Sequence, residues 1–145
     1  MTYLLDVNLL IALFDSRHVN HEAGHRWFGE VAISDWATCP TAENGCIRIL
    51  SNPAYPTVTA TPAEVMKRLA AFCESRSHSF WSDDRSIIGL LSSEVRRRMR
   101  GHRQVTDFYL VALAERQGGQ LGTFDGSLVR SLEGTTLAKA IELVV

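Results

Sequence analysis

The sequence predicts one α/β domain built on a central, mainly parallel sheet of four to five strands with helices on both faces. Short apolar runs typical of buried strands alternate with longer stretches of helical periodicity, which is the pattern of βαβ units. The chain has 145 residues, 46% of them hydrophobic, which is enough for one domain with a single core. No linker, repeat or low-complexity stretch divides it.

The first two predicted elements are a strand and a helix that follow one another directly. The apolar run at residues 3–5 ends at Asp6-Val7-Asn8, and a second apolar run at residues 9–14 follows at once, which we interpret as a buried strand breaking directly into a helix. Asp6 therefore stands at the carboxyl end of a strand. A second helix is predicted over residues 21–31 with Asn20 as its cap. Its apolar face would comprise Ala23, Trp27, Phe28 and Val31.

The next strand and helix meet at a proline. Residues 36–39 predict a strand that Pro40 closes, and Thr41 can cap a helix over residues 42–50. This helix carries Glu43 in its first turn. A capping box then begins at Thr61, with proline at the first helical position, and predicts a helix to about Ser75.

The second half of the chain continues the alternation. A strand is predicted at residues 80–81, and a helix over residues 86–98 that loses order toward Gly101. A strongly apolar helix over residues 107–116 ends at two glycines. The remaining predicted elements are a strand at residues 120–125, a short helix at 126–132 and a last strand at 140–145.

Composition excludes several classes of protein. Cys39, Cys46 and Cys73 form no CxxC pair and leave one thiol over, so neither a disulfide framework nor a zinc knuckle is indicated and a reducing cytoplasm is expected. No apolar run approaches the about 20 residues that cross a bilayer, and no export signal is apparent at the start. The balance of 15 basic against 16 acidic residues excludes a uniformly cationic surface.

Four acidic side chains are predicted to meet at one edge of the sheet. Asp6 and Asp125 follow strands, whereas Glu43 and Asp107 stand at helix amino ends. Because the ligand crevice of a parallel α/β sheet lies outside the carboxyl ends of its strands, we expect the four carboxylates to converge there. For each acid alone, the capping of a helix is an alternative explanation.

Converging carboxylates repel one another and raise each other's pKa values unless a divalent cation neutralises them. Oxygen ligands alone favour Mg²⁺ or Mn²⁺. The chemistry that follows is phosphodiester hydrolysis, in which the metal lowers the pKa of a bound water and stabilises the transition state, with room for a second ion about 4 Å away. Such a site needs no Ser, His or Cys nucleophile.

Four segments around these acids resemble the PIN-domain ribonucleases, in particular the toxins of bacterial VapBC toxin–antitoxin pairs. They occur in the family's order and span nearly the whole chain, at residues 4–8, 41–43, 105–110 and 121–125. No single segment is specific, but the ordered set is hard to obtain by chance. The resemblance implies a PIN-like three-layer α/β/α domain.

Carried over position by position, the resemblance implies an acidic pocket that holds Mg²⁺ or Mn²⁺. Its catalytic, metal-ligating residues would be Asp6, Glu43, Asp107 and Asp125, with Asn8 and Thr123 as supporting polar groups. The resemblance further implies an endoribonuclease toxin that cuts structured RNA such as tRNA or rRNA, acts as a homodimer and is silenced by a cognate antitoxin. Gly122 departs from the family's pattern, because relatives often carry a bulkier residue there.

An arginine-rich run immediately precedes Asp107. Five arginines fall within eight residues, namely Arg96, Arg97, Arg98, Arg100 and Arg103. Our hypothesis is that they hold the RNA backbone beside the acidic pocket. The alternative is a solvated helix face that pairs with Glu94 or with an acidic partner.

Three histidines invite a zinc interpretation, because His21 and His25 are four residues apart on a predicted helix and His18 is near. Residues 21–25 read His-Glu-Ala-Gly-His and match the HExxH pattern, but this short motif alone is a weak signal for zinc. We favour an anchoring role near the pocket for these side chains.

Two other classes of function remain open at this stage. A phosphatase or phosphotransferase would use Asp6 as a covalent nucleophile, but it requires a second acid where Asn8 stands and a lysine at the pocket. Only Lys67 and Lys139 are present, and neither is near an acidic segment. A non-catalytic RNA- or protein-binding module is disfavoured by the complete set of acids.

Overall fold

The computed structural model describes residues 1–145 and has a five-stranded sheet at its centre in which every pairing is parallel. The strand order is β3-β2-β1-β4-β5. The strands are β1 (Tyr3–Leu5), β2 (Trp36–Thr38), β3 (His78–Phe80), β4 (Gln120–Thr123) and β5 (Ile141–Leu143). The predicted α/β class is confirmed, and the amino-terminal strand is the central one.

Eight α-helices surround the sheet. They are α1 (Val7–Phe14), α2 (His21–Trp27), α3 (Pro40–Leu50), α4 (Pro62–Phe72), α5 (Ile87–Leu90), α6 (Ser93–Arg98), α7 (Val105–Arg116) and α8 (Gly126–Ser131). Helices α1 to α4 pack against one another in one layer, while α7 packs with α5 and with the 3₁₀ turn Thr136–Ala140 in the other. None of the helices has the length and apolar character that crossing a membrane requires.

Helices on both faces explain why the central strand is apolar at successive positions. Leu4 and Leu5 point to opposite faces and are both fully buried. Leu121, which pairs with Leu4 in β4, is fully buried as well. The parallel register brings the end of β1 beside the end of β4, since Leu5 pairs with Gly122. Asp6 and Thr123 therefore leave the sheet at neighbouring points.

Helix α3 begins earlier than the sequence predicts. Cys39 is its cap residue and Pro40 occupies the first turn, where a missing N–H does no harm. Thr41 does not cap the helix, because its backbone N–H and its hydroxyl both donate to Asp83, at 2.9 and 2.5 Å. Asp83 lies more than forty positions away along the chain, so local sequence gave no sign of this contact.

The prediction of a single helix over residues 86–98 is wrong, because this segment forms two short helices, α5 and α6. The Ser92 hydroxyl accepts a hydrogen bond from Val95 N at 3.2 Å and starts a new helix there. Leu91 is extended between them and is buried in the core. A serine that bonds the backbone locally competes with helix continuation.

The second predicted helix is correct in place but not in the face that it buries. Helix α2 passes into a π-helical turn at Phe28–Ala32, where the wider turn shifts the register. Ala32 is therefore fully buried, while Val31, predicted to face the core, is 38% exposed.

Candidate active site at the carboxyl edge of the sheet

Asp6 is almost completely buried at the end of β1, with 2% of its surface exposed. One carboxylate oxygen accepts a hydrogen bond from Val7 N at 2.7 Å and thereby caps α1. The other accepts a hydrogen bond from the Thr123 hydroxyl at 2.6 Å. These two bonds fix the carboxylate across the junction of β1 and β4.

Thr123 organises the neighbouring polar groups. Its hydroxyl oxygen accepts from Asp125 N at 3.1 Å and from the Asn8 side-chain amide at 3.3 Å. The Asp125 carboxylate in turn accepts from Leu128 N at 3.1 Å and caps α8. Asp6, Asn8, Thr123 and Asp125 thus form one hydrogen-bonded set around the end of the two central strands.

Asp107, in the first turn of α7, makes no hydrogen bond to this set but is near enough for the charges of Asp6 and Asp125 to act on it. Burial, followed by the charges of Asp6 and Asp125, raises the pKa of Asp107 to about 7. The pKa of Asp6 is also raised, mainly by burial and to a lesser extent by Asp125, against the opposing effect of its hydrogen bonds. The charges of the three aspartates therefore interact, and this group is called the acidic pocket below.

The donor atoms of the acidic pocket fit a hard divalent cation. They are carboxylate oxygens, with the Asn8 amide and the Thr123 hydroxyl beside them, and no sulfur or imidazole lies among them. Raised pKa values also mean that the ionised aspartates are destabilised here, which a bound cation would relieve.

The structure does not bring Glu43 together with the three aspartates. Its carboxylate accepts a hydrogen bond from the buried Thr38 hydroxyl at 2.6 Å, and His78 Nε2 lies 2.7 Å from the same hydroxyl oxygen. Asp6, Asp107 and Asp125 are near enough for their charges to interact, but they are not among the side chains whose ligand atoms all lie within 4.8 Å of one another, so their convergence on one ion stays a prediction. The position of a side chain on α3 depends on the Thr38 and His78 partners of β2 and β3, which sequence spacing does not reveal.

Glu43 belongs instead to a second group of ligand-type side chains. The ligand atoms of Glu43, Cys73 and His78 all lie within 4.8 Å of one another. A set of oxygen, sulfur and nitrogen can hold a borderline ion such as Zn²⁺ but does not favour Mg²⁺. The Thr38 hydroxyl already occupies the hydrogen-bonding positions at the centre of this group.

The histidines of α2 anchor the far end of α1 and do not approach the acidic pocket. His21 Nδ1 donates to the Ala12 carbonyl at 2.7 Å, and His25 Nε2 donates to the Leu13 carbonyl at 2.9 Å. These carbonyls lie in the last turn of α1, about 10 Å along the helix from Asp6. The anchoring role is therefore correct, but its predicted place near the pocket is wrong.

The arginine-rich run lies on α6 and in the loop that leads to α7. None of its five guanidinium groups forms an ion pair, because the only ion pair in the protein joins the amino terminus to Asp35. Pairing with Glu94, which was the alternative, is thus not observed.

Asp83 is a site residue that the sequence analysis missed. It follows β3 at the same edge of the sheet and binds the first turn of α3. Burial and the Asp83 charge raise the pKa of Tyr109 on α7. The signal was available, since Asp83 follows a predicted strand as Asp6 does.

Packing explains why residue 122 is a glycine. A Cβ at this position would lie 2.6 Å from the Trp27 ring, which fills the space above β4. The Trp27 indole of α2 thus occupies the space that a side chain on Gly122 would need.

The fold and the acidic pocket define a PIN-type α/β domain, the class found in metal-dependent nucleases. No family model matches the chain. Two curated relatives from Mycobacterium tuberculosis are Ribonuclease VapC39, 47% identical over 131 residues (90% of this chain and 94% of the relative), and Ribonuclease VapC44, 40% identical over 130 residues (88% and 89%). The chain therefore belongs to the VapC ribonucleases, the endoribonuclease toxins of VapBC toxin–antitoxin systems.

A solved structure supports the fold independently. The crystal structure of M. tuberculosis VapC20, described as a sarcin–ricin loop cleaving toxin, aligns with a TM-score of 0.61. The alignment covers 93% of this chain and 97% of that one at 12% identity. The PIN-like α/β architecture expected from the sequence is thereby confirmed.

Proposed function

We propose that this ribonuclease depends on Mg²⁺ or Mn²⁺ and that Asp6, Asp107 and Asp125 hold the ion. The observation that carries the proposal is that Asp107 on α7 lies near enough to Asp6 and Asp125, at the ends of β1 and β4, for their charges to add to the burial that raises its pKa to about 7. When bound, the ion supplies a Lewis acid that activates water and neutralises charge developing on the attacked phosphate.

The side chains of this pocket have separate tasks in the proposal. Asp6 is held in place by Val7 N and Thr123, so it provides a fixed carboxylate at the buried end. Asp107 is more exposed than Asp6 and faces the side from which the RNA enters the pocket. Thr123 is a positioning residue because its hydroxyl donates to the Asp6 carboxylate, and Asn8 acts through it by donating to the same hydroxyl oxygen.

Glu43 enters the proposal as a fourth ligand. Its backbone lies near Asp6, since Gly45 of the same helix contacts Val7. Rotation of the Glu43 side chain toward the aspartates breaks its bond to Thr38, which costs about 1 kcal/mol. Thr38→Val removes that bond, so we expect it to keep cleavage active, whereas Glu43→Gln lowers the affinity for Mn²⁺.

Our proposals for the RNA substrate and the protein partners are based on membership of the VapC family. We propose that the RNA is a structured tRNA or rRNA, as VapC20 is described as cleaving the sarcin–ricin loop, and that the toxin acts in the cytoplasm. A cognate VapB antitoxin covers the pocket, and the toxin forms a homodimer. Light scattering after size exclusion tests the dimer, because its mass would be twice the 16.1 kDa of one chain.

The direct test is cleavage of total bacterial RNA by the purified protein with EDTA, Mg²⁺ or Mn²⁺. We expect discrete fragments only with the ions, and none from Asp6→Asn. Cleavage in EDTA would contradict metal dependence. Release of phosphate from small esters without RNA cleavage would indicate the aspartyl phosphatase instead.

A further inference from the structure

A polar cavity lies beside the acidic pocket and is formed by the arginine-rich loop. Its volume is about 390 Å³, and none of its lining residues is hydrophobic. The lining residues are Arg100, Gly101, His102, Arg103, Gln104 and Ser127. This cavity is called the arginine cavity below.

Two lining residues of the arginine cavity are close in the chain to aspartates of the acidic pocket. Gln104 immediately precedes α7, which bears Asp107 in its first turn, and Ser127 is the second residue of α8, which Asp125 caps. A chain of linked phosphates that enters the acidic pocket therefore has the arginine cavity as its neighbour.

Hydrogen bonds divide the arginines into two kinds. Arg96 donates to the carbonyls of Leu91 and Ile88, and Arg98 donates to the Glu133 carbonyl at 2.7 Å. These two guanidinium groups are used within the fold. The guanidinium groups of Arg100 and Arg103 have no hydrogen-bond or acidic partner, and both side chains are exposed.

The loop that presents the free arginines is held in place. Gln104 accepts from Arg100 N at 2.8 Å and donates to the buried Ser131 hydroxyl at 2.9 Å. Two cations are thus kept close together on a fixed loop without a counter-charge. Guanidinium groups bind phosphate oxygens through charge-assisted, frequently paired hydrogen bonds, so an anionic phosphodiester suits this cavity.

We propose that Arg100 and Arg103, assisted by His102, bind the backbone phosphate of a nucleotide that flanks the cleaved bond. Arg96 and Arg98 hold α6 and its neighbours together and do not bind RNA. This assignment rests on the proposed function, because the position of the flanking phosphate is defined by the acidic pocket.

The test measures binding of a fluorescent mixed-sequence 12-nucleotide RNA in EDTA, where no cleavage occurs, over a series of salt concentrations. We expect the double variant Arg100→Ala/Arg103→Ala to bind more than about tenfold more weakly. The slope of log affinity against log salt should fall by about 0.7, the contribution of one phosphate of a single strand. The effect should be the same for all RNA sequences.

Three single variants serve as matched controls. Arg116→Ala removes an exposed arginine at the opposite end of α7, about 14 Å along the helix from Asp107, and should leave binding unchanged. Arg97→Ala removes a free charge of α6 that does not line the cavity, and should weaken binding less than Arg103→Ala. Arg98→Ala should lower Tm while the salt slope stays that of the wild type.

The outcomes separate this proposal from the proposed function. Unchanged binding by the double variant, an equal loss in Arg97→Ala, or no binding by the wild type at low salt would overturn the arginine cavity as a phosphate site. Binding that depends on the cavity, without cleavage in Mg²⁺ or Mn²⁺, would support the cavity and refute the nuclease proposal.

Discussion

Asp107 and Asp6 are two carboxyl groups whose ionisation works against the fold. Burial and a neighbouring aspartate raise the pKa of each of these carboxyl groups, and neither group has a cationic partner. A side chain that lowers stability in the folded state is frequently retained for function. The two aspartates are therefore best examined by variants that keep their shape but remove the charge.

Asp107→Asn should abolish RNA cleavage, with a rate loss of more than about a hundredfold, while it stabilises the fold. The free energy of unfolding at pH 8 should rise by about 1 kcal/mol, well below the full pKa shift because the carboxyl group is partly solvated. Gel assays and urea unfolding measure the two effects. Glu115→Gln, an exposed change at the other end of α7, should alter neither.

The raised pKa values also predict how stability depends on pH. Between about pH 4, where an unfolded aspartate loses its proton, and pH 7, the folded protein binds more protons than the unfolded chain. In the absence of metal, the free energy of unfolding should therefore fall as pH rises through this window. Mg²⁺ should stabilise the protein more at pH 8 than at pH 5. Equal stabilisation at both values would contradict a carboxylate site.

Asp15 is a buried acid with a structural task. Its carboxylate accepts hydrogen bonds from the Tyr55 hydroxyl at 2.7 Å, the Thr57 hydroxyl at 2.5 Å and Arg17 N at 3.0 Å. These bonds outweigh burial and lower the pKa of Asp15. They tie the loop after α3 to the end of α1.

Asp15→Ala should lower the free energy of unfolding by about 2–4 kcal/mol, because two hydroxyls lose their acceptor. Chemical denaturation at pH 7 measures this loss of stability, and Asp84→Ala, which replaces an exposed aspartate, is the control. The contribution of Asp15 should shrink as pH falls below about 4, where the unfolded carboxyl group is protonated, and it should be lost once pH falls through the lowered pKa of the folded state. A loss that persists unchanged at pH 2.5 would contradict this explanation.

At the level of elements, the contact of α1 with α3 sets the position of Asp6. A Cβ on Gly45 would lie 2.8 Å from Val7 Cγ2, and Val7 directly follows Asp6. The other end of α1 is fixed by His21, His25 and Arg68, which donate to its last carbonyls. The helix that begins at the acidic pocket is thus held at both ends.

Gly45→Ala should destabilise the protein by about 1 kcal/mol. The clash with a stiff β-branched side chain exceeds the gain of up to about 1 kcal/mol in helix propensity. In the Val7→Ala background the same change should instead stabilise, since the methyl group then has room. Chemical unfolding of the wild type, the two single variants and the double variant measures these free energies. Equal effects of Gly45→Ala in both backgrounds would contradict the proposed clash with Val7.

For the whole molecule, the sequence predicted the alternation of elements better than the contacts between distant ones. Asp6 and Asp125 were placed correctly because an acid after a buried strand marks the sheet edge. The direction of Glu43 was not predictable, since Thr38 and His78 determine it from other strands. The break at Leu91 and the cap of α3 likewise depend on contacts that local propensity does not contain.

A chain that stops after residue 119 should neither fold nor inhibit growth. It lacks β4, which pairs with the central strand, together with Thr123 and Asp125. Circular dichroism of the fragment and growth after its expression test this prediction. Full-length Asp107→Asn is the control, because it should fold without inhibiting growth. A fragment that is folded and toxic would contradict the prediction.

The hydrogen bond between Thr123 and Asp6 joins positions 117 residues apart. A nascent polypeptide therefore cannot form the proposed metal site until Thr123 has left the ribosome, so translation that stops before this position should yield an inert product.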